Sequence, residues 1–250
     1  MKRILSILFL LSALLFSIDA SALSIAARYA WKGKLGTNIT FSLELERNIN
    51  DLVIGETTYY RRNGTIRKLP VYGEYFIDDE GNESMFLNEY DGTKICGTFL
   101  LELKGNHIKE GQWRLGEKEL GMTGMMSIDF SLPKTKSRFV PATASNIAGE
   151  FSFSYNVDDS YLPERGGSAE ISISGNTLDW HMCQVTPNIA EAEGNTTFTG
   201  NTFADQTGKT RFRAWVYDKL LYVKRLNPED GMDENFGMGA SIEGIYIRCK

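Results

Sequence analysis

Hydrophobic and polar residues alternate along most of this chain with a period of two. The alternation is clearest from Ile39 to Glu46, where Ile, Phe and Leu occupy every second position and Thr, Ser and Glu lie between them. The same pattern returns at residues 99–103, 126–130, 151–155 and 169–174. Because successive side chains of a strand point to opposite faces, the pattern predicts antiparallel strands with one face on a core and one in water.

Turn sequences separate these strands. Asn63-Gly64 lies between two strand-like runs and is typical of a tight hairpin. Similar turns are Glu80-Gly81-Asn82, Asp91-Gly92, Lys104-Gly105-Asn106, Ser174-Gly175-Asn176 and Thr207-Gly208-Lys209. Together they predict an all-β fold of antiparallel meanders that form small barrels or sandwiches. One short helix is expected from Pro187 to Glu193, because a proline lies at its start and a glycine follows it.

The stretch from Leu132 to Asn146 interrupts the alternation. It contains two prolines, several basic residues and small polar residues, a composition typical of linkers. We therefore predict two domains, an N-terminal β domain at 23–131 and a C-terminal β domain at 147–250, joined by a linker at 132–146. The alternative is one continuous sheet in which this stretch is a long crossover loop.

The first 22 residues have the parts of a cleavable export signal. Lys2 and Arg3 precede an apolar run from Ile4 to Ile18, and Ala20-Ser21-Ala22 is a small-x-small cleavage site. The run is shorter than the roughly 20 residues that span a bilayer, and no second long apolar run follows it. These features predict a mature chain that starts at Leu23, lies in the periplasm or outside the cell, and has no membrane span.

Charge and cysteine content narrow the chemistry. The chain has a net charge of −5, which disfavours nucleic-acid binding because that function needs clustered Lys and Arg. Export makes a disulfide chemically feasible. Cys183 and Cys249 are the expected pair, because both lie in the C-terminal half. Cys96 is then left over, and its place at the start of an apolar strand predicts a buried free thiol.

No motif assigns a catalytic residue, a metal ligand or a cofactor. The two histidines are isolated: His107 lies in a turn sequence, and His181 lacks nearby partners for a zinc or copper site. The acidic clusters at 78–83 and 229–234 lack the spacing of a calcium-binding EF-hand loop. There is also no Gly-x-Ser-x-Gly nucleophile elbow.

One strand carries a candidate binding face. If residues 211–217 form a strand, one face presents Arg211, Arg213, Trp215 and Tyr217, and the other presents smaller apolar residues. Outward Arg, Trp and Tyr side chains are typical of interaction hot spots. We therefore predict that these four residues form a binding surface.

Two segments resemble known families. The residues Gly33–Gly36, Ile39–Leu45, Val53–Tyr60, Leu87–Tyr90, Gly97–Phe99 and Gly111–Trp113 resemble a class of uncharacterised exported bacterial β proteins. The run from Asn235 to Tyr246 is similar to the Phe-Gly-x-Gly-x-Ser-x-x-Gly-x-Tyr ending of small periplasmic β domains, some of which occur beside lysozyme-inhibitor-like modules. Those domains usually carry a cysteine where this chain has Asn235. The resemblance implies export and a β fold, and it transfers no catalytic residue.

These observations favour an exported, soluble binding or inhibitor module of the bacterial envelope, with an envelope protein or a glycan as partner. One alternative is an envelope or polysaccharide hydrolase whose catalytic residues are dispersed along the sequence. A second alternative is a β-barrel carrier of a small apolar ligand, which needs an internal cavity.

Overall fold

A computed structural model describes residues 24–134, 136–155, 165–185, 188–206, 211–226, 236 and 240–249. The predicted signal peptide and the second acidic cluster lie outside these residues, as do residues 235 and 237–239 of the C-terminal family-like segment. The described residues contain strands and no helix. The strands are β1 (Ile25–Leu35), β2 (Ile39–Asn48), β3 (Leu52–Tyr60), β4 (Ile66–Ile77), β5 (Glu83–Asp91), β6 (Lys94–Lys104), β7 (His107–Leu115), β8 (Lys118–Ser127), β9 (Gly149–Tyr155), β10 (Gly166–Ser174), β11 (Thr177–Val185), β12 (Ile189–Thr196), β13 (Phe198–Thr199), β14 (Thr202–Asp205), β15 (Phe212–Val216), β16 (Leu220–Arg225) and β17 (Gly244–Arg248).

The first eight strands form a closed antiparallel barrel. Each strand pairs with the next, and β1 also pairs with β8, so the sheet closes on itself. The predicted hairpin at Asn63-Gly64 connects β3 and β4, and Gly64 has a φ of 82°, a value that glycine adopts without strain. The all-β prediction is confirmed, and the first meander is a barrel.

Side chains fill the interior of this first barrel. The fully buried residues include Trp31, Phe41, Leu43 and Phe99, and the rings of Phe41 and Phe99 stack with centroids 5.9 Å apart. Phe41, Leu43 and Phe99 are apolar positions of the alternating pattern, so there the period of two marks the barrel core. At 126–130 the prediction of a half-buried strand is wrong, because β8 ends at Ser127 and Met126 and Ile128 are exposed.

The remaining strands make a second ring of pairings, here called the second ring. β9 pairs with β10, β10 with β11 and β11 with β12, and after the short β13 the ladder runs through β14, β15, β16 and β17 back to β9. β9 also makes a short parallel pairing with β6, where Lys94 lies opposite Ser154 and Ile95 opposite Tyr155. Hydrogen bonds therefore join all seventeen strands into one continuous sheet.

The predicted helix at Pro187–Glu193 is wrong for the part that the structure describes. Residues from Ile189 onward form β12, which pairs with β11 along its whole length. Ala190 is buried and Ala192 is partly buried, whereas Glu191 and Glu193 are exposed. This two-residue alternation buries one face against the core, and strand pairing outweighs the local helix signals at the ends of the segment.

The predicted linker contains a segment that is hydrogen-bonded on both sides, here called the strap and defined as residues 131–134 and 136–142. On the first barrel, Glu46 accepts hydrogen bonds from the Arg138 backbone N–H (2.6 Å) and from Ser137 Oγ (3.0 Å). On the second ring, Ala142 N–H donates to Val216 O at 2.9 Å, and Phe139 packs against Tyr217. The strap is thus an ordered part of the structure.

The outer face of the first barrel is also covered by the second ring. Leu52, Ile54, Tyr72, Tyr90 and Ile95 of the first barrel belong to the same buried cluster as the core of the later strands. Two polar contacts cross this junction as well. Asn48 Nδ2 donates to Tyr217 Oη (3.1 Å), and Tyr222 Oη donates to Glu74 Oε1 (2.7 Å).

Candidate functional site: a cationic cleft at the junction

A cleft of about 680 Å³ opens where the first barrel, the strap and the second ring meet. Its walls come from β3 and β4, from the strap, from the turn between β15 and β16, and from the end of β17. A volume of this size is in the range of sites that hold small organic ligands, and such sites often lie between domains.

Several residues that line the cleft are apolar. They are Ile54, Tyr72, Leu132, Val140 and Ile247, here called the apolar wall. Val140 is 52% exposed, which is high for a valine and leaves its side chain open to a ligand. Burial raises the pKa of Tyr72 to about 12, so its phenol is neutral at physiological pH.

Arg248 provides a fixed positive charge in the cleft. Its guanidinium donates to three backbone carbonyls, those of Asp218 (2.8 Å), Ala148 (2.9 Å) and Asn146 (2.8 Å), and lies 4.4 Å from the centre of the Phe151 ring. Burial lowers the pKa of Arg248, because a cation is solvated less well there. No ion pair between Arg248 and a carboxylate is present in the described residues.

The other cations of the cleft are Lys136, Arg138 and Lys219. Arg138 pairs with Glu44 at 2.9 Å, whereas Lys136 and Lys219 are exposed and make no ion pair with any described residue. The acidic side chains that line the cleft are Glu56, which pairs with Lys68 at 2.7 Å, and Asp218. Four cations against two carboxylates make the cleft basic, although the whole chain carries a net charge of −5.

The four residues predicted as a binding surface are divided by the fold. Arg211 and Arg213 are exposed, but Trp215 is 7% exposed and Tyr217 is 2% exposed. The Trp215 ring stacks on Tyr222 at 5.3 Å, on the face that meets the first barrel. The prediction of one exposed face is therefore corrected: its aromatic half belongs to the junction, and only Tyr217 lines the cleft.

The structure holds Cys96, Cys183 and Cys249 as free thiols. β9 and β10 lie between the strand of Cys183 and the end of β17, where Cys249 follows. With neighbouring strands about 4.8 Å apart, this separation exceeds the roughly 7 Å that a disulfide tolerates between Cα atoms. The structure thus lacks the Cys183–Cys249 disulfide, and Cys249 lines the cleft instead.

A second polar cluster lies inside the first barrel. Glu89 is 1% exposed, and both of its carboxylate oxygens accept from Tyr59 Oη at 2.8 Å, while Oε2 also accepts from Trp113 Nε1 at 2.8 Å. Burial raises the pKa of Glu89 and also that of the neighbouring Cys96 thiol, to about 11 for the latter. Cys96 is half-buried at a bulge where β5 and β6 shift register.

Other candidate chemistry stays dispersed. His181 Nε2 contacts Glu191 at 2.9 Å on an exposed face, and His107 lies 3.4 Å from Ser127 Oγ, also exposed. No group of three or more potential metal ligands forms in the described part of the chain. That part also contains no helix long and apolar enough to cross a bilayer.

Comparison with known protein families, with curated proteins and with solved structures finds no match to this chain. The family resemblance stated from the sequence motifs therefore stays a prediction. The cleft was missed in the sequence because its cations come from the strap, from a turn and from the last strand. No local pattern connects Lys136, Lys219 and Arg248, since only the closure of the second ring brings them together.

Proposed function

We propose that this protein is an exported, two-domain binding module that captures an amphipathic organic anion in the junction cleft. The first barrel and the second ring are the two domains, and the strap is the segment that joins them. The single observation that supports the ligand class is the combination, in one cleft, of apolar lining residues with cationic side chains, three of which make no ion pair with a described residue. Export and a periplasmic or extracellular location rest on the signal-like first 22 residues.

The charge distribution favours an anion. Lys136 and Lys219 make no ion pair with any described residue. Arg248 is held in place by carbonyls, so no described carboxylate is paired with its charge. An anionic head group at these side chains replaces solvent as their partner. An apolar body against Ile54, Val140 and Ile247 adds the hydrophobic contribution, about 25 cal/mol for each Å² of apolar surface that is buried.

The two other functions from the sequence have less support. A carrier of an apolar ligand needs an internal cavity, and the interior of the first barrel is filled by Trp31, Phe41 and Phe99. A hydrolase needs an accessible pair of carboxylates or a nucleophile beside a base. Glu89 is enclosed in the barrel, and the exposed contact of His107 with Ser127 is long for a hydrogen bond.

The ligand class is tested by calorimetric titration with three ten-carbon probes below their micelle concentrations: decyl phosphate, 1-decanol and decyltrimethylammonium. We expect decyl phosphate to bind best. The variant Lys136→Ala/Lys219→Ala should bind it about tenfold more weakly and should lose much of the salt dependence of the affinity. Val140→Asp should weaken binding by placing a carboxylate on the apolar wall.

The matched control is Lys34→Ala/Lys104→Ala, which removes two exposed lysines from the first barrel and changes the net charge by the same amount. It should bind decyl phosphate like the wild type. Equal binding of all three probes, or equal weakening in the control variant, would contradict the proposal.

A further inference from the structure

A second exposed surface of this protein is independent of the cleft. It lies on the outer face of β4, β5 and β6 and consists of Phe76, Phe86 and Leu100, here called the outer patch. Phe86 lies directly opposite Leu100, and Phe76 lies opposite Ser84, which places the two phenylalanines diagonally on the same face. Phe76 is 48% exposed and Phe86 is 40% exposed, so neither ring is buried within this chain.

The outer patch continues the face that the second ring already covers. On the same side of β4 and β5, Tyr72 and Tyr90 are buried beneath the later strands. The covered area ends near Glu74, whose carboxylate accepts from Tyr222 Oη and which lies opposite Phe86. The apolar surface extends beyond this boundary, so the outer patch is a part of this face that the described residues leave uncovered.

Acidic side chains border the outer patch. A groove of about 380 Å³ runs beside it and is lined by Asp78, Glu102 and Glu110 together with Phe76 and Leu100 of the patch. Lys109 pairs with Glu102, whereas neither Asp78 nor Glu110 makes an ion pair with a described residue. Hydrogen bonds from Asn82 and from the turn backbone lower the pKa of Asp78, so this carboxylate stays charged at neutral pH.

We infer that the outer patch docks a basic protein segment that presents an apolar side chain between lysines or arginines. The apolar side chain would lie against Phe76 and Phe86, and its basic neighbours would face Asp78 and Glu110. A second copy of this chain fits less well, because each copy carries a net charge of −5 and two acidic surfaces repel.

The test uses an eight-residue peptide of alternating lysine and phenylalanine, titrated into the full-length protein by calorimetry at two salt concentrations. We expect Phe76→Ser/Phe86→Ser to weaken binding at least about tenfold. Asp78→Asn/Glu110→Gln should weaken it about fivefold and flatten its dependence on salt. A peptide with glutamate in place of lysine should not bind. Because both phenylalanines are largely exposed, these variants are expected to keep the wild-type melting temperature.

The matched controls change equivalent residues elsewhere on the surface. Ile173→Ser/Ile189→Ser removes two exposed apolar side chains of the second ring, and Glu191→Gln/Glu193→Gln removes two exposed carboxylates. Both should bind the peptide like the wild type. The inference is overturned if the peptide does not bind at up to about 1 mM, or if the controls weaken binding as much as the patch variants. It is also overturned if the patch substitutions only convert a dimer into a monomer in sedimentation experiments.

Discussion

Two fully buried glutamates of the first barrel meet opposite environments. Glu46, on the outer face of β2, is 0% exposed and pairs with Arg28 Nε at 2.9 Å, while its other oxygen holds the strap. Glu89, inside the barrel, is 1% exposed and accepts from the neutral donors Tyr59 and Trp113.

The two carboxylates therefore contribute to the stability of the fold in different ways. Glu46 is balanced by a cation and connects the barrel to the strap, so the fold depends on its charge. Glu89 has no cation paired with it in the described residues, and burial therefore favours its protonated form. The fold depends on the hydrogen bonds of Glu89 more than on its charge.

The largest expected effect comes from Glu46→Gln. The substitution keeps the side-chain size but leaves the Arg28 cation without its buried counter-charge and removes one acceptor for the strap. Breaking such a pair costs about 3 kcal/mol of the free energy of unfolding, which urea denaturation measures. The control Glu119→Gln breaks an exposed pair with Arg114 and should change stability by less than about 1 kcal/mol. A loss for Glu46→Gln as small as that of the control would contradict the comparison.

A smaller effect is expected from Gly97→Ala, which disturbs the surroundings of Glu89 while keeping its charge. A Cβ at position 97 would overlap the Trp113 indole nitrogen and lie 2.6 Å from Glu89 Oε2. Overpacking of this kind costs about 2 kcal/mol, seen as a lower melting temperature and a changed tryptophan fluorescence. Gly121→Ala is the control, because a Cβ there meets no atom within 4 Å. Equal melting temperatures for the two variants would show that the cluster around Glu89 is loosely packed.

Tyr59→Phe removes the hydroxyl that donates to both oxygens of Glu89. Burial and the neighbouring Glu89 raise the pKa of Tyr59, which keeps this hydroxyl protonated as a donor. Its loss should cost about 1 kcal/mol at neutral pH. In the Glu89→Gln background the cost should be smaller, and a double-mutant cycle by urea denaturation measures the difference. Additive costs in that cycle would indicate that the hydroxyl and the carboxylate do not interact.

The smallest effect is expected from Glu89→Gln, the same substitution that is costly at Glu46. Burial raises the pKa of Glu89 above its ordinary value of 4.5, so the folded state binds the proton more tightly than the unfolded state. In the wild type this tighter proton binding by Glu89 stabilises the folded state most below pH 4.5. The stabilisation is lost as the pH rises through the folded-state pKa. Glu89→Gln should remove that pH dependence and match or exceed the wild-type stability at neutral pH by up to about 1 kcal/mol. Urea denaturation between pH 4 and pH 8 measures this, and an unchanged slope with pH would refute the assignment.

The strands of the first barrel could be predicted because their information is local. One buried face of β2 is predicted by Phe41, Leu43 and Leu45, and the turn after β3 is predicted by Asn63-Gly64. The two buried glutamates could not be recognised in the same way. Glu89 lies on the inner face of β5 as an apolar residue would, and only the closed barrel shows that Tyr59 and Trp113 reach it.

The binding residues illustrate the same limit at longer range. The alternation along β15 places Arg213 and Trp215 on the face opposite Ala214, as the sequence indicated. The sequence could not show that Trp215 and Tyr217 are buried in the cluster shared with the first barrel. The sequence of Pro187–Glu193 has helix-like ends, yet residues 189–193 form a strand because they pair with β11. Local patterns thus specify which side of a strand is buried, and distant strands specify what covers it.

The lack of a side chain at Gly97 constrains which substitutions this protein can tolerate. The indole of Trp113 and the carboxylate of Glu89 occupy the volume that any larger side chain at position 97 would need. A lineage that replaces Glu89 with an apolar residue loses the acceptor for Trp113 Nε1, and a lineage that shortens Trp113 opens room at position 97. Positions 89, 97 and 113 are therefore expected to change together in descendants of this chain, although they lie on three different strands.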